Sequence, residues 1–229
     1  MKIYYRISNN SEKKERLSNA TKEHCLENFL YEFDRNDNDI IVIADNVSEK
    51  KLKDFIYAQQ KKNLSIEETT FGNTRSFKYV LDKACQLENL DETIYFAEDD
   101  YLYLLGSDQT LKEGLEKADY VSLYDHPDKY QDGLNPYVKD GGEKTKVILT
   151  RSSHWKFTNS STMTFSSRVK TLKADYKIWK KCLIDTYPYD FKAFQDLRRR
   201  GRKLITPIPS LSTHAEPNFL APLIDWSQV

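Results

Sequence analysis

Thr93-Ile94-Tyr95-Phe96-Ala97-Glu98-Asp99-Asp100 decides the reading of the fold. The run from Thr93 to Ala97 carries no charge and is dominated by β-branched and aromatic residues, the pattern of a strand covered on both faces. It then breaks into three adjacent acids. A strand that ends abruptly in carboxylates is how an open α/β sheet delivers polar groups to the crevice beyond its carboxyl edge.

Upstream, the same texture repeats. Lys2 to Ile7 reads as a short strand, and Leu26, Phe29, Leu30 and Phe33 trace a helical stripe at i, i+3, i+4, i+7. Asp39 to Ala44 is a second, nearly continuous apolar strand, after which Ser48 is placed to cap a helix carrying Leu52, Phe55 and Ile56. Leu64 to Phe71 predicts a third strand, Gly72-Asn73 a turn, and Phe77, Val80, Leu81, Ala84 and Cys85 another helix. Strands alternating with helices of this length imply βαβ units and a mostly parallel, Rossmann-like sheet. Residues 1–105 are therefore expected to form a nucleotide-binding half.

Downstream the pattern changes. A helix is expected near Leu111 to Ala118 and a strand over Tyr120 to Tyr124. A polar stretch from Asp125 to Glu143 follows, too long for a mere connection. Beyond it the sequence predicts a strand at Lys146 to Thr150, a polar turn through His154 and Trp155, and a Thr/Ser-rich run to Phe165. Two helical stripes come next, one with Tyr176, Trp179 and Leu183 and one with Phe191, Phe194 and Leu197, before an irregular Pro-rich tail from Ile205. With no repeat or linker, 1–229 reads as one domain, and 106–229 as its second half.

Composition narrows the functional classes. Of 229 residues 39% are hydrophobic, enough for one sizeable core, and 35 basic residues balance 35 acidic ones, so no global field attracts nucleic acid or an anionic membrane. Cys25, Cys85 and Cys182 lie far apart, which fits neither a zinc site nor a disulfide framework and points to a reducing compartment. No apolar run reaches the ~20 residues of a membrane span, so a soluble, cytoplasmic protein is expected.

The crevice rule gathers specific residues without any motif. Arg6 and Ser8 follow the first strand, Asp45 the second, Gly72 to Arg75 the third, and Glu98, Asp99 and Asp100 the fourth. Arg6 and Arg75 suit phosphates, and Asp45 suits a ribose or base. Three adjacent acids repel one another and are most simply neutralised by a hard cation, Mg²⁺ or Mn²⁺. His214 has no such argument of its own, since a lone histidine is more often structural.

With those residues in view, the Tyr95-Phe96-Ala97-Glu98-Asp99-Asp100-Tyr101 run resembles the Asp-x-Asp-type motif of GT-A glycosyltransferases, in the Glu-Asp-Asp form of family 2-like inverting enzymes. The order of elements is similar to that of small viral and bacterial GT-A domains, which implies that 1–105 is the nucleotide-sugar-binding half and 106–229 the acceptor-binding, catalytic half. The resemblance implies a transferase that moves a sugar from a nucleotide diphosphate sugar, UDP-linked by preference, to a hydroxyl of a glycan or glycoconjugate. It implies that Asp100 ligates the metal, that His214 completes the coordination, and that Glu98 is a supporting acid. It also implies a general base at the start of a helix in the second half. Phe194-Gln195-Asp196-Leu197-Arg198-Arg199-Arg200-Gly201 is similar to the segment in which a Glu-Asp pair precedes an arginine-rich helix, and Asp196 is the matching position, with Gln195 departing from the pattern. Asp125 and His126, with Thr162, Met163 and Thr164, are the expected contacts to sugar or acceptor. A nucleotidyltransferase is the rival enzyme, although Ile7-Ser8-Asn9-Asn10 lacks the glycines of its phosphate loop. A non-catalytic sugar-binding module is the third class.

Overall fold

The computed structural model describes residues 1–9, 14–34, 38–184 and 186–229, so Asn10 of the segment after the first strand lies outside the described residues. The chain begins β1 (Lys2–Ile7), α1 (Lys22–Phe33), β2 (Asp39–Asp45), α2 (Lys50–Ala58), β3 (Leu64–Thr69), α3 (Asn73–Gln86) and β4 (Thr93–Glu98). It continues with β5 (Tyr101–Tyr103), α4 (Ser107–Gly114), β6 (Tyr120–Val121), β7 (Val138–Lys139), β8 (Gly142–Glu143), β9 (Val147–Leu149), β10 (His154–Phe157) and β11 (Phe165–Arg168). The last elements are α5 (Val169–Lys181), α6 (Asp190–Arg199), β12 (Leu204–Ile208) and β13 (Ser212–His214).

The expected βαβ half is present. β3, β2, β1 and β4 stand side by side in parallel, with Tyr4 level with Ile41 on one flank and Phe96 on the other. The sheet then continues in the order β11-β6-β12-β10-β9, nine strands in all among the described residues. β11 and β10 run against the rest, and β11 pairs directly with β4 through Phe165 opposite Phe96.

Alternation along β1 divides the core. Ile3, Tyr5 and Ile7 point to the face covered by α1, where Phe29 and Phe33 stack 4.8 Å apart. Tyr4 points to the opposite face, against α3, α5 and α6. There Phe165 lies parallel to Trp179 at 4.9 Å, and Phe194 meets both rings edge-on. The polar groups of this aromatic layer are not left orphaned. Trp179 Nε1 donates to the Tyr120 hydroxyl at 3.2 Å, and that hydroxyl donates to Asp175, which Arg202 neutralises at 2.7 Å.

Three readings of the second half and one of the first need correction. His154 and Trp155 are not in a turn but in β10, whose flanks are occupied by β9 and β12, and Trp155 is fully buried. The Thr/Ser-rich run ends in β11, whose serines are hidden because both neighbours are strands: Ser166 donates to the Ile94 carbonyl at 2.6 Å. The tail from Ile205 is not irregular, since β12 sits inside the sheet despite Pro207, and β13 returns to pair with β5. Ser48 does not cap α2; Glu49 holds that position, and Ser48 instead gives its backbone N–H to Asn9 Oδ1 at 3.0 Å. Among the described residues no helix is long and apolar enough to cross a membrane.

Gly114 closes α4 against the inner wall. A Cβ there would sit 2.7 Å from the Trp155 ring and 3.0 Å from Val121 Cγ1, both in the packed interior. Gly114→Ala is expected to destabilise the protein by about 1–3 kcal/mol, the usual cost of overpacking. Urea denaturation should show a lower midpoint with an unchanged slope.

Candidate active site

The ends of β1, β2 and β4, the start of α3 and the strand β13 enclose a cleft of about 370 Å³. Its walls include Arg6, Ser8, Asp45, Asn73, the acids Glu98, Asp99 and Asp100, and His214. The sheet brings these residues together because parallel strands finish at one edge. His214 joins them through the register of β13 on β5, which sets it opposite Tyr101, while the Ala215 N–H donates to the Asp100 carbonyl at 2.9 Å.

Each acid at the end of β4 has its own cationic partner. Arg6 donates to Glu98, and its other terminal nitrogen reaches the Asn73 carbonyl at 2.9 Å. Asp99 Oδ2 accepts from the Ser8 N–H at 2.8 Å and from Lys22 at 2.6 Å. Asp100 Oδ2 is shared by Arg16 at 2.7 Å and His214 Nε2 at 3.1 Å. Burial pushes Glu98 and Asp99 above the usual carboxylate range, against the pull of Arg6 on the one and Lys22 on the other. Burial acts on Asp100 in the same direction, but His214, Arg16 and Lys22 together outweigh it and hold Asp100 below that range.

Asp100 and His214 suit a divalent cation. Asp100 Oδ1 is buried without a hydrogen-bond partner, beside an imidazole nitrogen, and such an orphaned oxygen is satisfied by a hard cation. Among the described residues no group of three metal-binding side chains occurs, and a cation held by Asp100 and His214 would keep open positions for substrate oxygens. Glu98 faces Arg6 instead, as a supporting acid would.

Other expected residues are arranged differently. Arg75 is exposed on α3 and does not line the cleft; Asn73 and Ser76, on either side of it, do, because the helical turn sends Arg75 outward. Asp45 lines the cleft but spends both oxygens on its own loop, accepting from Thr69 Oγ1 at 2.8 Å, Phe71 N at 2.6 Å and Gly72 N at 2.8 Å. Gly72 carries φ +80° at the start of α3, a conformation glycine adopts without strain. Asp125 is buried against Lys156 at 2.7 Å and accepts from the Tyr130 hydroxyl, away from the cleft. His126 is linked to the site by rings: His214 to Tyr101 at 5.4 Å, Tyr101 to Tyr124 at 5.6 Å, Tyr124 to His126 at 5.3 Å. Thr162 reaches the Tyr101 hydroxyl at 2.5 Å, whereas Met163 packs in the core and Thr164 is fully buried, so neither meets the cleft.

Asp196 is not brought to the cleft. It lies well inside α6, paired with Lys192 at 2.8 Å and Arg199 at 2.7 Å, the ordinary i,i+4 and i,i+3 contacts of a helix surface. The acid at the start of that helix is Asp190. Burial pushes its carboxyl up to about 6, against the opposing effects of the Phe191 N–H at 2.8 Å and the charges of His126 and Lys129. Thr186 and Tyr187, just ahead of it, line the cleft. The stripe Phe191, Phe194, Leu197 already puts Asp190 at the helix N-terminus, and that signal identifies it in the sequence. Lys14, Arg16 and Lys22 were also missed; Lys14 lines the cleft, Arg16 neutralises Asp100 and Lys22 neutralises Asp99, and the basic residues ahead of and at the start of α1 are the signal in the sequence.

No protein-family model and no curated protein sequence matches the chain. Solved structures do. The galactosyltransferase LgtC, in complex with donor and acceptor sugar analogues, superposes with a TM-score of 0.52 at 10% identity over 90% of this chain and 73% of its own. The fold is GT-A. GalNAc-T7 with UDP, GalNAc and Mn²⁺ aligns with a TM-score of 0.61 at 10% identity, over 96% of this chain and 44% of its own. TarS 1-349 of S. aureus aligns at 0.51 and 14% identity, over 90% of this chain and 58% of its own. At these identities the GT-A likeness concerns the course of the backbone, and the chemistry rests on the residues above.

Asp45 gives a test of what the loop contributes. Asp45→Ala leaves the Thr69 hydroxyl and the half-buried Phe71 and Gly72 N–H groups without their acceptor and is expected to destabilise the protein by about 1–3 kcal/mol. Asp45→Asn, which keeps an acceptor oxygen, should lose less, and thermal unfolding of the two variants checks the order.

Proposed function

We propose that the protein is a metal-dependent glycosyltransferase that moves a sugar from a nucleotide diphosphate sugar, UDP-linked by preference, to a hydroxyl of a glycan or glycoconjugate, with inversion. One observation carries this reading: a buried, unpartnered Asp100 oxygen beside His214 in a cleft bordered by Arg6, Lys14 and Arg16. Acids for a cation and cations for a diphosphate in one crevice match what a nucleotide sugar requires. GT-A neighbours solved with UDP and Mn²⁺ or with UDP-GlcNAc support the choice of donor.

Asp100 and His214 would hold Mn²⁺ or Mg²⁺, which supplies Lewis-acid neutralisation of the leaving diphosphate. Arg16, Lys14 and Arg6 would add positive charge around the same oxygens. Asp45 fixes the loop that borders the nucleotide. Asp190 takes the place first assigned to Asp196: it would accept the proton of the acceptor hydroxyl as that oxygen attacks the anomeric carbon from the face opposite the leaving group. A carboxyl raised to about 6 is a stronger base than a solvated one and is still ionised at neutral pH.

Measuring UDP release over a panel of nucleotide sugars, with and without Mn²⁺, tests the reading, and absence of both turnover and metal-dependent UDP binding would refute it. Asp100→Ala is expected to lower the affinity for UDP measured by calorimetry with Mn²⁺ present and to change it little without.

Asp190→Asn should cut kcat by about 10²- to 10⁴-fold with donor affinity intact, because the base acts in the transition state. Asp196→Asn should retain activity. Since the ionised form of Asp190 does the work, kcat should fall as the pH drops through about 6, above the usual carboxylate range. A profile flat to the ordinary carboxylate range would remove Asp190 from the role.

A further inference from the structure

Most large aromatic side chains of this protein are inside, but those left at the surface are unevenly distributed. Among the described residues the exposed rings are Tyr31, Tyr57, Phe71, Tyr130, Tyr137, Tyr187, Tyr189 and Phe191, and the last five belong to only two segments, the excursion after Asp125 and the approach to α6. These segments meet, for Tyr137 and Phe191 lie with ring centroids 6.3 Å apart and planes 30° from parallel. Tyr187 borders the cleft, and Asp190 falls between Tyr189 and Phe191 in the chain.

Isolated exposed rings are normal, whereas several gathered along the chain around a half-buried carboxylate at the head of a helix mark a surface built for a partner. The nearby cations narrow its chemistry. Lys129 is turned inward to Asn159 Oδ1 at 2.9 Å and Ser160 Oγ at 2.6 Å, and Lys156 is consumed by Asp125 at 2.7 Å. Lys192, beside Phe191, pairs with Asp196 at 2.8 Å, and the stretch from Asp125 to Glu143 carries five acids against two lysines, so the rings do not form a polyanion site. Flat, half-exposed aromatic faces with hydroxyl and carboxylate groups at their margins complement a pyranose ring, which has an apolar C–H face and hydrogen-bonding edges.

We propose that Tyr137, Tyr187, Tyr189 and Phe191 form the platform on which a neutral saccharide acceptor lies, with the reacting hydroxyl directed to Asp190. The inference rests on the glycosyltransferase reading and adds the acceptor's class: an uncharged sugar ring, not a polypeptide side chain or an anionic polymer. It separates the two substrates in space, with donor affinity set by the acids and cations at the end of β4 and acceptor affinity by the rings before and within α6.

The test is saturation-transfer NMR of the full chain, with UDP and Mn²⁺ present, against methyl pyranosides and neutral trisaccharides of gluco, galacto, manno and N-acetylgluco configuration. At least one saccharide is expected to bind. Tyr137→Ala and Phe191→Ala, which alter the platform from two different segments, should each weaken that binding by about tenfold or more, with UDP affinity by calorimetry changed less than about twofold. Saccharide binding that survives both substitutions overturns the proposal, as does a protein that binds UDP but no saccharide, or one that prefers a Ser/Thr peptide or a sulfated oligosaccharide. Ring-dependent saccharide binding without any UDP binding would uphold the platform while refuting the glycosyltransferase reading, so the two failures are distinguishable.

Discussion

Three carboxylates in sequence at the end of a buried strand repel one another, and the fold around the cleft is organised by how that repulsion is relieved. Glu98 draws Arg6 from β1, Asp99 draws Lys22 from the first turn of α1, and Asp100 draws Arg16 from the segment before α1 and His214 from β13. Each partner comes from a different element. Neutralising one short run of sequence therefore fixes the chain's beginning and its end against the middle of the sheet. Because these groups are partly or fully withdrawn from water, each charge depends on its partner far more than a surface pair would.

The same network explains why the site is open on one side. Arg6 is held on two fronts, by Glu98 and by the Asn73 carbonyl, while it lies over the Phe77 ring. Asp100 keeps one oxygen unsatisfied. The cluster is thus tied down at Glu98 and has an oxygen to spare at Asp100.

The first half was legible in the sequence because a parallel strand covered on both faces writes itself as a nearly unbroken apolar run, as β2 and β4 do, while β1 is interrupted only by Arg6 and β3, at the sheet's edge, carries Ser65, Glu67 and Glu68. The acids at the end of β4 followed from the same pattern, and so did the crevice. The second half was not legible for an equally physical reason. β10 and β11 are four residues each, and their His, Lys, Ser and Arg residues look like loop until the hydrogen bonds of two neighbouring strands account for them. Asp196 was chosen by similarity of a short arginine-rich segment, but it lies on the helix surface between Lys192 and Arg199, and the acid at the head of that helix is Asp190. Arg75 failed through helical geometry, since one step along a helix turns a side chain by about 100°.

β11 has one more consequence. By running between β4 and β6 it stitches strands from the two halves of the chain into one hydrogen-bonded slab. The halves cannot swing apart like the shells of a clam, because separating them would tear a ladder of backbone hydrogen bonds through the aromatic centre of the molecule. Traffic into and out of the cleft is left to the surface loops on its rim, and the floor beneath them stays fixed through every cycle.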